Sequence, residues 1–342
     1  MSRKTTSRDV AAAAGVSQCW VSIILNNVPN KKVNPETRER VLEAARKLNY
    51  TVNINARNMK IRKSGAIGLL YNSVDTFNYM TLIKGIQIKC LENETSVALC
   101  TGDKMPGGRE DYIDYYYKNL IDGVIYCAYA GVPYDSVISI LEKNKIPFVC
   151  TIGAMDIPGI SSVGENFHEA GYIATTHLIE NGFNNFAFPI SEELEQLDYG
   201  EKGRLEGCRR AVEHYGKKLD IVRIYSKEIS DNKKRVEASI NFIKSNRCYD
   251  AYISTSHACY ILLKAAAELG IRIPEELGVV SLDNDVFAPF LTPSLTTIDE
   301  PFKEISLKAA ELLFEKINGS SESKKIEISP SLTIRESTKK IP

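Results

Sequence analysis

The sequence predicts an α/β protein with a small helical head, a short hinge and a larger body of two doubly wound parallel sheets. Three observations support this prediction. A chain of 342 residues is long enough for two or three domains. Its charge is unevenly divided, because residues 1–63 hold thirteen Lys and Arg against four Asp and Glu. From Ala66 onward, short apolar runs alternate with amphipathic helical stretches.

The division of charge indicates different roles for the two parts. The head has a net charge of +9 and the remainder −9, within a total of zero. A basic segment joined to an acidic body is typical of a nucleic-acid-binding domain attached to a domain with another task. A basic disordered tail would carry the same charge, so the helical pattern of the head has to decide between them.

The first two predicted helices of the head lie close together in the chain. Thr6 and Asp9 have the spacing of a capping box that begins the first helix. Gly15 is placed to end it in a left-handed conformation. Ser17 then caps a second helix that reaches about Asn26. Two short helices across so tight a turn favour a helix-turn-helix.

The second helix is the one expected to read DNA. Its buried face is predicted to consist of Val21, Ile24 and Leu25. The opposite face, which we expect to enter a major groove, consists of Gln18, Cys19, Ser22, Ile23 and Asn26. A third helix is predicted to begin at Asn34-Pro35, with an apolar stripe of Val41, Leu42, Ala45 and Leu48.

Apolar runs mark the strands of the body. They lie at residues 66–71, 96–100, 123–127, 146–152, 186–190, 221–225, 250–254 and 278–282, with helices between them, for example at 109–120, 166–181, 203–215 and 257–269. Continuous apolar strands are typical of parallel sheets covered on both faces. The pattern fits two consecutive subdomains that change near Ser162–Glu165. The segments LTTI (295–298) and KIEISPSLTIRES (325–337) are expected to cross back, once into each half.

Longer strings of the sequence resemble a known family. SRDVAAAAGVSQCWVSIILNN, NPETRERVLEAARKLNY and NARNMKIRKSGAIGLL follow one another as in the DNA-binding head of the LacI/GalR family of bacterial transcriptional regulators. VGENFHEAGYIATTHLIENGF, AAAELGIRIPEELGVVSLDND, PSLTTIDEP and LTIRES resemble that family's effector domain, which shares its fold with periplasmic sugar-binding proteins. The resemblance covers residues 4–338.

The resemblance implies a domain organisation and a function. It implies a helix-turn-helix domain over 1–52, a hinge over 53–63 and an effector-binding and dimerisation domain over 64–338. Within the last, we expect one subdomain at about 64–163 with 295–325, and another at about 164–293 with 327–338. The implied protein is a homodimeric repressor of a palindromic operator on double-stranded DNA, controlled by a small-molecule effector such as a sugar or related metabolite.

The resemblance also implies which residues contact DNA. In the head these are Thr6, Ser17, Gln18, Cys19, Trp20, Ser22, Ile23 and Asn26, and in the hinge Asn55, Ala56 and Met59. Met59 stands where the family usually has a leucine that enters the minor groove and kinks the duplex. Trp20 and Ile23 depart from the family, which usually has a small hydroxylated residue and often a polar base-reading residue at these positions. The operator sequence therefore cannot be read from the family pattern.

Effector-binding residues are expected beyond the carboxyl ends of the strands, where open α/β sheets bind ligands. This rule selects Ser73 and Asp75 after the first strand, with Tyr79 opening the next helix, and Tyr129, Ser256 and Asp283 after later strands. Arg204, in the first turn of its predicted helix, points toward the same cleft. The resemblance implies effector contacts at Tyr79, Arg204 and Asp283. Ser256 replaces an aspartate that is common in the family, which weakens the case for an ordinary sugar.

Other functional classes find little support in the sequence. It contains no GxGxxG, GxxxxGK[ST], GxSxG or HExxH motif, and we expect no catalytic residues, metal or cofactor. Its four histidines lack ligand spacing, which favours structural roles, and its eight cysteines without a CxxC pair indicate free thiols in a reducing compartment. Without an apolar leader or a membrane-spanning run, the expected location is the cytoplasm. A solute-binding protein for transport and a bifunctional regulator-enzyme remain as alternatives.

Overall fold

The protein consists of a helical unit up to Ser64 and a larger unit from Gly65 onward. The computed structural model describes residues 5–25, 31–50, 63–71, 77–128, 134–153, 155, 157–191, 193–226 and 228–338. In the described ranges, no helix is both long enough and apolar enough to cross a membrane.

The head contains three helices, α1 (Ser7–Ala14), α2 (Gln18–Leu25) and α3 (Pro35–Lys47). The predicted capping box is confirmed, because Thr6 accepts from the Asp9 N–H while the Asp9 carboxylate accepts from the Thr6 N–H. Gly15 ends α1 with φ 64°, and Asn34 caps α3 ahead of a proline at its first turn. The three helices bury a small shared core of Val10, Ala11, Ala14, Val21, Ile24, Val41, Ala44 and Ala45.

The predicted stripe of α3 was wrong at one position. Leu42 is 37% exposed, whereas Ala44 is buried beside Val41 and Ala45. At 3.6 residues per turn, positions 41, 44, 45 and 48 share a face and position 42 lies well away from it. The leucine side chain was hydrophobic enough to be assigned to the core on composition, but its angle on the helix places it in solvent.

The first sheet of the body has six parallel strands in the order β11-β5-β4-β3-β1-β2. Its strands are β1 (Ala66–Tyr71), β2 (Ser96–Cys100), β3 (Val124–Ala128), β4 (Phe148–Ile152), β5 (Ser162–Glu165) and β11 (Lys325–Ile328). Its helices are α4 (Phe77–Glu92), α5 (Asp111–Tyr117), α6 (Tyr134–Lys143) and α11 (Phe302–Ile317). Separate apolar clusters cover both of its faces, as continuous apolar strands predict.

The second sheet has the order β12-β10-β9-β8-β6-β7, parallel except for β12. Its strands are β6 (Asn185–Ile190), β7 (Lys218–Arg223), β8 (Ala251–Ser254), β9 (Gly278–Ser281), β10 (Thr296–Asp299) and β12 (Ser331–Thr333). The helices of this half are α7 (Phe167–Glu180), α8 (Tyr199–His214), α9 (Asn232–Ser245) and α10 (Ser256–Glu268). The body is therefore two doubly wound halves, as predicted.

The assignment of the late strands to the two halves was partly wrong. Segment 295–298 was expected in the first half, but β10 pairs with β9 of the second sheet. The chain returns to the first half only afterwards, through α11 and then β11, which pairs with β5. Three crossover segments thus join the halves, after β5, after β10 and after β11. A four-residue apolar strand fits the edge of either sheet, so its local pattern could not decide its partner.

Candidate nucleic-acid interface and ligand cavity

The outer surface of α2 carries the residues expected to read DNA. Gln18, Cys19 and Ser22 are exposed, while Ile23 is half-buried. Trp20 is 38% exposed although it is a large apolar side chain. Val21 and Ile24 are buried in the core of the head, and Leu25 is half-buried against it. Helix α2 is therefore amphipathic, with its apolar face in the core and the opposite face outward, as the sequence predicted.

One contact between α1 and α2, and one at the start of each helix, hold this surface in place. The Gln18 side-chain amide donates to the Ser7 hydroxyl at 2.6 Å, and the Trp20 N–H lies 3.4 Å from the Ser17 hydroxyl that accepts it. Thr6 donates its hydroxyl to Asp9 at 2.7 Å. The Ser17 bond satisfies a backbone N–H at the start of α2, where no intrahelical partner exists, and the capping box of Thr6 and Asp9 does the same for α1. Thr6 and Ser17 are therefore both structural caps and exposed residues of the same surface.

Several predicted site residues lie outside the described residues. In the head and hinge these are Asn26, Asn55, Ala56 and Met59, and in the body Ser73, Asp75 and Tyr129. Their proposed contacts with DNA or effector stay predictions.

A cavity of about 170 Å³ opens at the carboxyl ends of the strands in the second sheet. Side chains from the ends of β6 and β8 line it, together with residues just beyond β7 and β9 and on α8, α9 and α10. They are Phe188, Pro189, Ile190, Ser191, Leu197, Glu201, Arg204, Ile224, Tyr225, Arg235, Ser254, Thr255, His257, Ala258 and Leu282. This is the location that the rule for open α/β sheets predicts for a ligand.

Arg204 lines the cavity and bridges the two halves of the body. Its Nη2 donates to Glu300 at 3.0 Å and to Glu165 at 3.4 Å, and its guanidinium lies 4.9 Å from the ring centroid of Phe167. Glu165 ends β5 and Glu300 follows β10. Each carboxylate therefore belongs to a crossover segment. The helix itself begins earlier than predicted, at Tyr199 with a capping box of Asp198 and Glu201, so Arg204 stands in its second turn and not in its first.

The two carboxylates around Arg204 do not both ionise easily. Burial raises the pKa of Glu165 to about 7, against the attraction of Arg204 and with a further increase from the charge of Asp283. Burial also raises the pKa of Glu300 well above its usual range. One guanidinium cannot neutralise two buried carboxylates and a third nearby. The pair therefore holds a proton close to neutral pH.

Asp283 is engaged with serines next to the cavity. Its Oδ1 accepts from the Ser256 N–H at 2.6 Å, from the Ser256 hydroxyl at 2.5 Å and from the Ser281 hydroxyl at 2.7 Å. Ser256 is buried, with 7% of its surface exposed. Neither Asp283 nor Ser256 is among the residues that line the cavity, although their neighbours Leu282 and His257 are. The carboxylates opposite Arg204 are Glu165 and Glu300, which the sequence did not single out.

Tyr79 lies in a different environment from the one expected. It is 5% exposed and belongs to the apolar cluster on one face of the first sheet. The cavity beside Arg204 is lined by residues of the second half. The structure therefore brings Arg204 to the cavity and places Asp283 and Ser256 next to it, but it does not bring Tyr79 to the same cavity.

Two cavity residues were missed by sequence reasoning. Arg235 and His257 face one another with 2.8 Å between Nη1 and Nε2, and both line the cavity. His257 follows the predicted site residue Ser256 by one position, so the rule of strand ends could have found it. It was passed over because the four histidines were judged together by metal spacing. His177, in contrast, is buried and bonded to Thr338 at 2.7 Å.

Comparisons with known protein families match both parts of the chain. Residues 6–53 match the family described as bacterial regulatory proteins, lacI family, and residues 175–338 match the periplasmic binding protein-like domain. One similar protein is the HTH-type transcriptional repressor PurR of Vibrio vulnificus (strain CMCP6). It is 29% identical over 98% of this chain and 99% of its own chain. The HTH-type transcriptional regulator DegA of Bacillus subtilis (strain 168) is 28% identical over 98% of both chains.

The chain combines a lacI-family DNA-binding domain with a periplasmic binding protein-like domain. It is a DNA-binding transcriptional regulator with an effector-binding domain, and not an enzyme. Solved structures of LacI-family regulators share its fold. The lac repressor dimer bound to operator and the anti-inducer ONPF matches with a TM-score of 0.79 at 19% identity, over 98% of this chain and 99% of that one. The CelR–cellobiose complex matches with a TM-score of 0.67 at 23% identity, over 97% and 99%.

Proposed function

We propose that this protein is a homodimeric repressor of the bacterial cytoplasm whose hold on a palindromic operator is controlled by a small metabolite, a sugar or related compound. The metabolite binds in the cavity of the second sheet and contacts Arg204. One structural relative carries cellobiose, which supports this class of ligand, and another carries the anti-inducer ONPF on a dimer at its operator, which supports a small molecule that acts on an operator-bound dimer. On the DNA side, the exposed residues of α2 enter the major groove.

The connection between Arg204 and two of the three crossover segments carries this proposal. A ligand that takes over hydrogen bonds of Arg204 changes its bonds to Glu165 and Glu300. Since these carboxylates end the segments that join the halves, the change favours one relative position of the halves over another. A ligand shifts such an equilibrium only by its difference in affinity for the two states. A charged hydrogen bond from Arg204 to the ligand, made in one state only, supplies such a difference. Asp283, next to the cavity, remains the proposed second contact.

The test combines a ligand screen with DNA binding. The full chain is screened by thermal shift against sugars, sugar derivatives, nucleobases and amino-acid derivatives. Compounds that stabilise it are then added to the protein on a selected operator, with binding followed by fluorescence anisotropy. Arg204→Gln and Asp283→Asn should each weaken ligand binding roughly tenfold or more, the value of a lost charged hydrogen bond. Operator affinity without ligand should change little.

Lys202→Gln is the matched control, because Lys202 is an exposed cation on the same helix and does not line the cavity. It should leave ligand binding and operator binding as they are. If the compounds act equally well on Arg204→Gln and Asp283→Asn, the effector binds elsewhere and the proposed site is wrong.

A further inference from the structure

The cavity beside Arg204 contains a second arginine whose charge no described carboxylate balances. Arg235, on α9, is half-buried at the cavity wall. Its Nε donates to the Ile229 carbonyl, and its guanidinium lies 5.4 Å from the ring centroid of Tyr225. Within the described part of the chain, it forms no ion pair. Both of its polar partners, a backbone carbonyl and His257, are formally neutral.

His257 is held as a neutral acceptor by this contact. A guanidinium has only N–H donors, so the 2.8 Å contact from Arg235 Nη1 requires His257 Nε2 to accept. The ring then carries its proton on Nδ1. Partial burial lowers the pKa of His257, and the charge of Arg235 lowers it further. The pair thus has a net charge of +1 and retains unused N–H donors on both side chains.

The other charges of the cavity do not neutralise this pair. Among the described residues that line it, Glu201 is the only carboxylate, and its side chain accepts from the Asp198 N–H at 3.1 Å in a capping box. Arg204 is bonded to Glu165 and Glu300. The cavity therefore has one compensated arginine, one uncompensated arginine and a histidine.

We propose that the ligand of this cavity carries an oxyanion, a phosphate ester or a carboxylate, which binds to Arg235 and His257. The proposal rests on the proposed function, since it concerns the same effector cavity. A guanidinium binds two oxygens of such a group with parallel N–H···O bonds. Tyr225, beneath the guanidinium, restricts its orientation and leaves its edge for the ligand. The uncharged part of the ligand lies toward Arg204 and the apolar ends of the strands, Phe188 and Leu282.

The experiment measures oxyanion binding by the full chain in low-salt buffer with isothermal titration calorimetry. The probes are inorganic phosphate, glucose 6-phosphate and succinate, with glucose as the uncharged counterpart of the second. We expect saturable binding of at least one oxyanion probe, and no comparable binding of glucose. Preference for the phosphates over succinate identifies a phosphate ester, and the reverse identifies a carboxylate.

Variants locate the binding. Arg235→Gln should weaken it by at least about tenfold, as expected for a lost charge-assisted bond. His257→Gln should weaken it less, and Arg235→Lys should restore part of it because the charge returns without the planar fork. Lys234→Gln, an exposed cation one position earlier on α9, is the control and should bind as the wild type does. Circular dichroism checks that each variant is folded. If Arg235→Gln does not fold, the folded His257→Gln variant still tests the proposal.

Two outcomes overturn the inference. One is that no oxyanion probe binds at millimolar concentration, and the other is that folded Arg235→Gln and His257→Gln bind it as tightly as the wild type. Neither outcome affects the proposed function, which fails instead if ligand control of DNA binding is independent of Arg204. The two proposals can therefore fail separately.

Discussion

Trp20 is the only tryptophan of the chain, and 38% of its surface is exposed on α2. On the surface that we propose faces DNA, an indole offers a large flat contact to sugars or thymine methyl groups. The resemblance to the family did not predict it, since a small hydroxylated residue is usual there. Its position makes the intrinsic fluorescence of the whole protein a report on this one surface.

Operator binding should therefore change the tryptophan emission. As the indole loses contact with water, we expect the emission to shift to shorter wavelength or to be quenched when a selected operator duplex is titrated in. A duplex with scrambled half-sites at the same concentration and salt is the control, and it should have little effect. Unchanged emission at an operator concentration that saturates binding by anisotropy would show that Trp20 does not approach the DNA.

The proton held near Glu165 predicts a pH dependence of stability. Because burial raises the pKa of Glu165 from 4.5 to about 7, the folded state binds this proton more tightly than the unfolded state does. The stabilisation of the folded state by this proton is complete below about pH 4.5 and is lost as the pH rises through 7. Between about pH 5 and 8, the wild type should thus lose on the order of 1–3 kcal/mol of unfolding free energy relative to Glu165→Gln.

Urea unfolding of both proteins at the two ends of this pH range measures the difference. Glu213→Gln, at an exposed position of the same helix as Arg204, should show the wild-type pH dependence. If Glu165→Gln shows the wild-type pH dependence as well, then Glu165 is ionised over the whole pH range and another group holds the proton.

In the head, the starts of the helices were the features that the sequence predicted best. The caps of α1 and α3 were read from Thr6, Asp9 and Asn34, because a cap is a local hydrogen-bond pattern with its own residue types. The long apolar strands were found as well. The cavity was only partly found. Arg235 lines it, and Glu165 and Glu300 bind its Arg204, from segments far apart in the chain, and no local pattern marks them.

The packing of α7 against α8 places Arg204 and offers a test at this scale. A Cβ added at Gly171 of α7 would lie 1.9 Å from the carbonyl oxygen of Arg204, and one at Gly207 of α8 would lie 2.0 Å from the carbonyl oxygen of His168. The two helix backbones are thus in direct contact, and only glycine permits this. A methyl group here has to push α8, and Arg204 with it, away from α7.

Gly171→Ala should therefore lower both stability and ligand response. Overpacking of this kind costs about 1–3 kcal/mol, which thermal unfolding measures, and ligand affinity should fall because Arg204 is displaced. Gly200→Ala is the matched control on α8, since its nearest contact would be the Phe167 ring at 3.2 Å and not a backbone atom. A Gly171→Ala protein as stable and as responsive as Gly200→Ala would mean that this helix contact does not position Arg204.

At the scale of the molecule, the sequence predicted two parts with different tasks. The +9 head became a three-helix unit with its own core, and the body became two sheets joined by three crossover segments. The pairing of β10 with β9 was missed, because the partner of a short strand depends on the whole fold. The missed pairing bears on the proposed effector site, since Glu300 follows β10 and connects that crossover to Arg204.

The central claim is that the head binds specific DNA and that the body does not. The most direct test selects duplexes from a random library with the full chain, then measures their binding by the full chain and by residues 64–342. We predict that the duplexes selected by the full chain have two-fold symmetric sequences. With about 6–10 phosphate contacts, we expect a loss of affinity on the order of 10³–10⁵-fold from about 50 to 200 mM salt. Residues 64–342 should show no specific binding. Undiminished binding of the selected duplex by residues 64–342 would contradict the account.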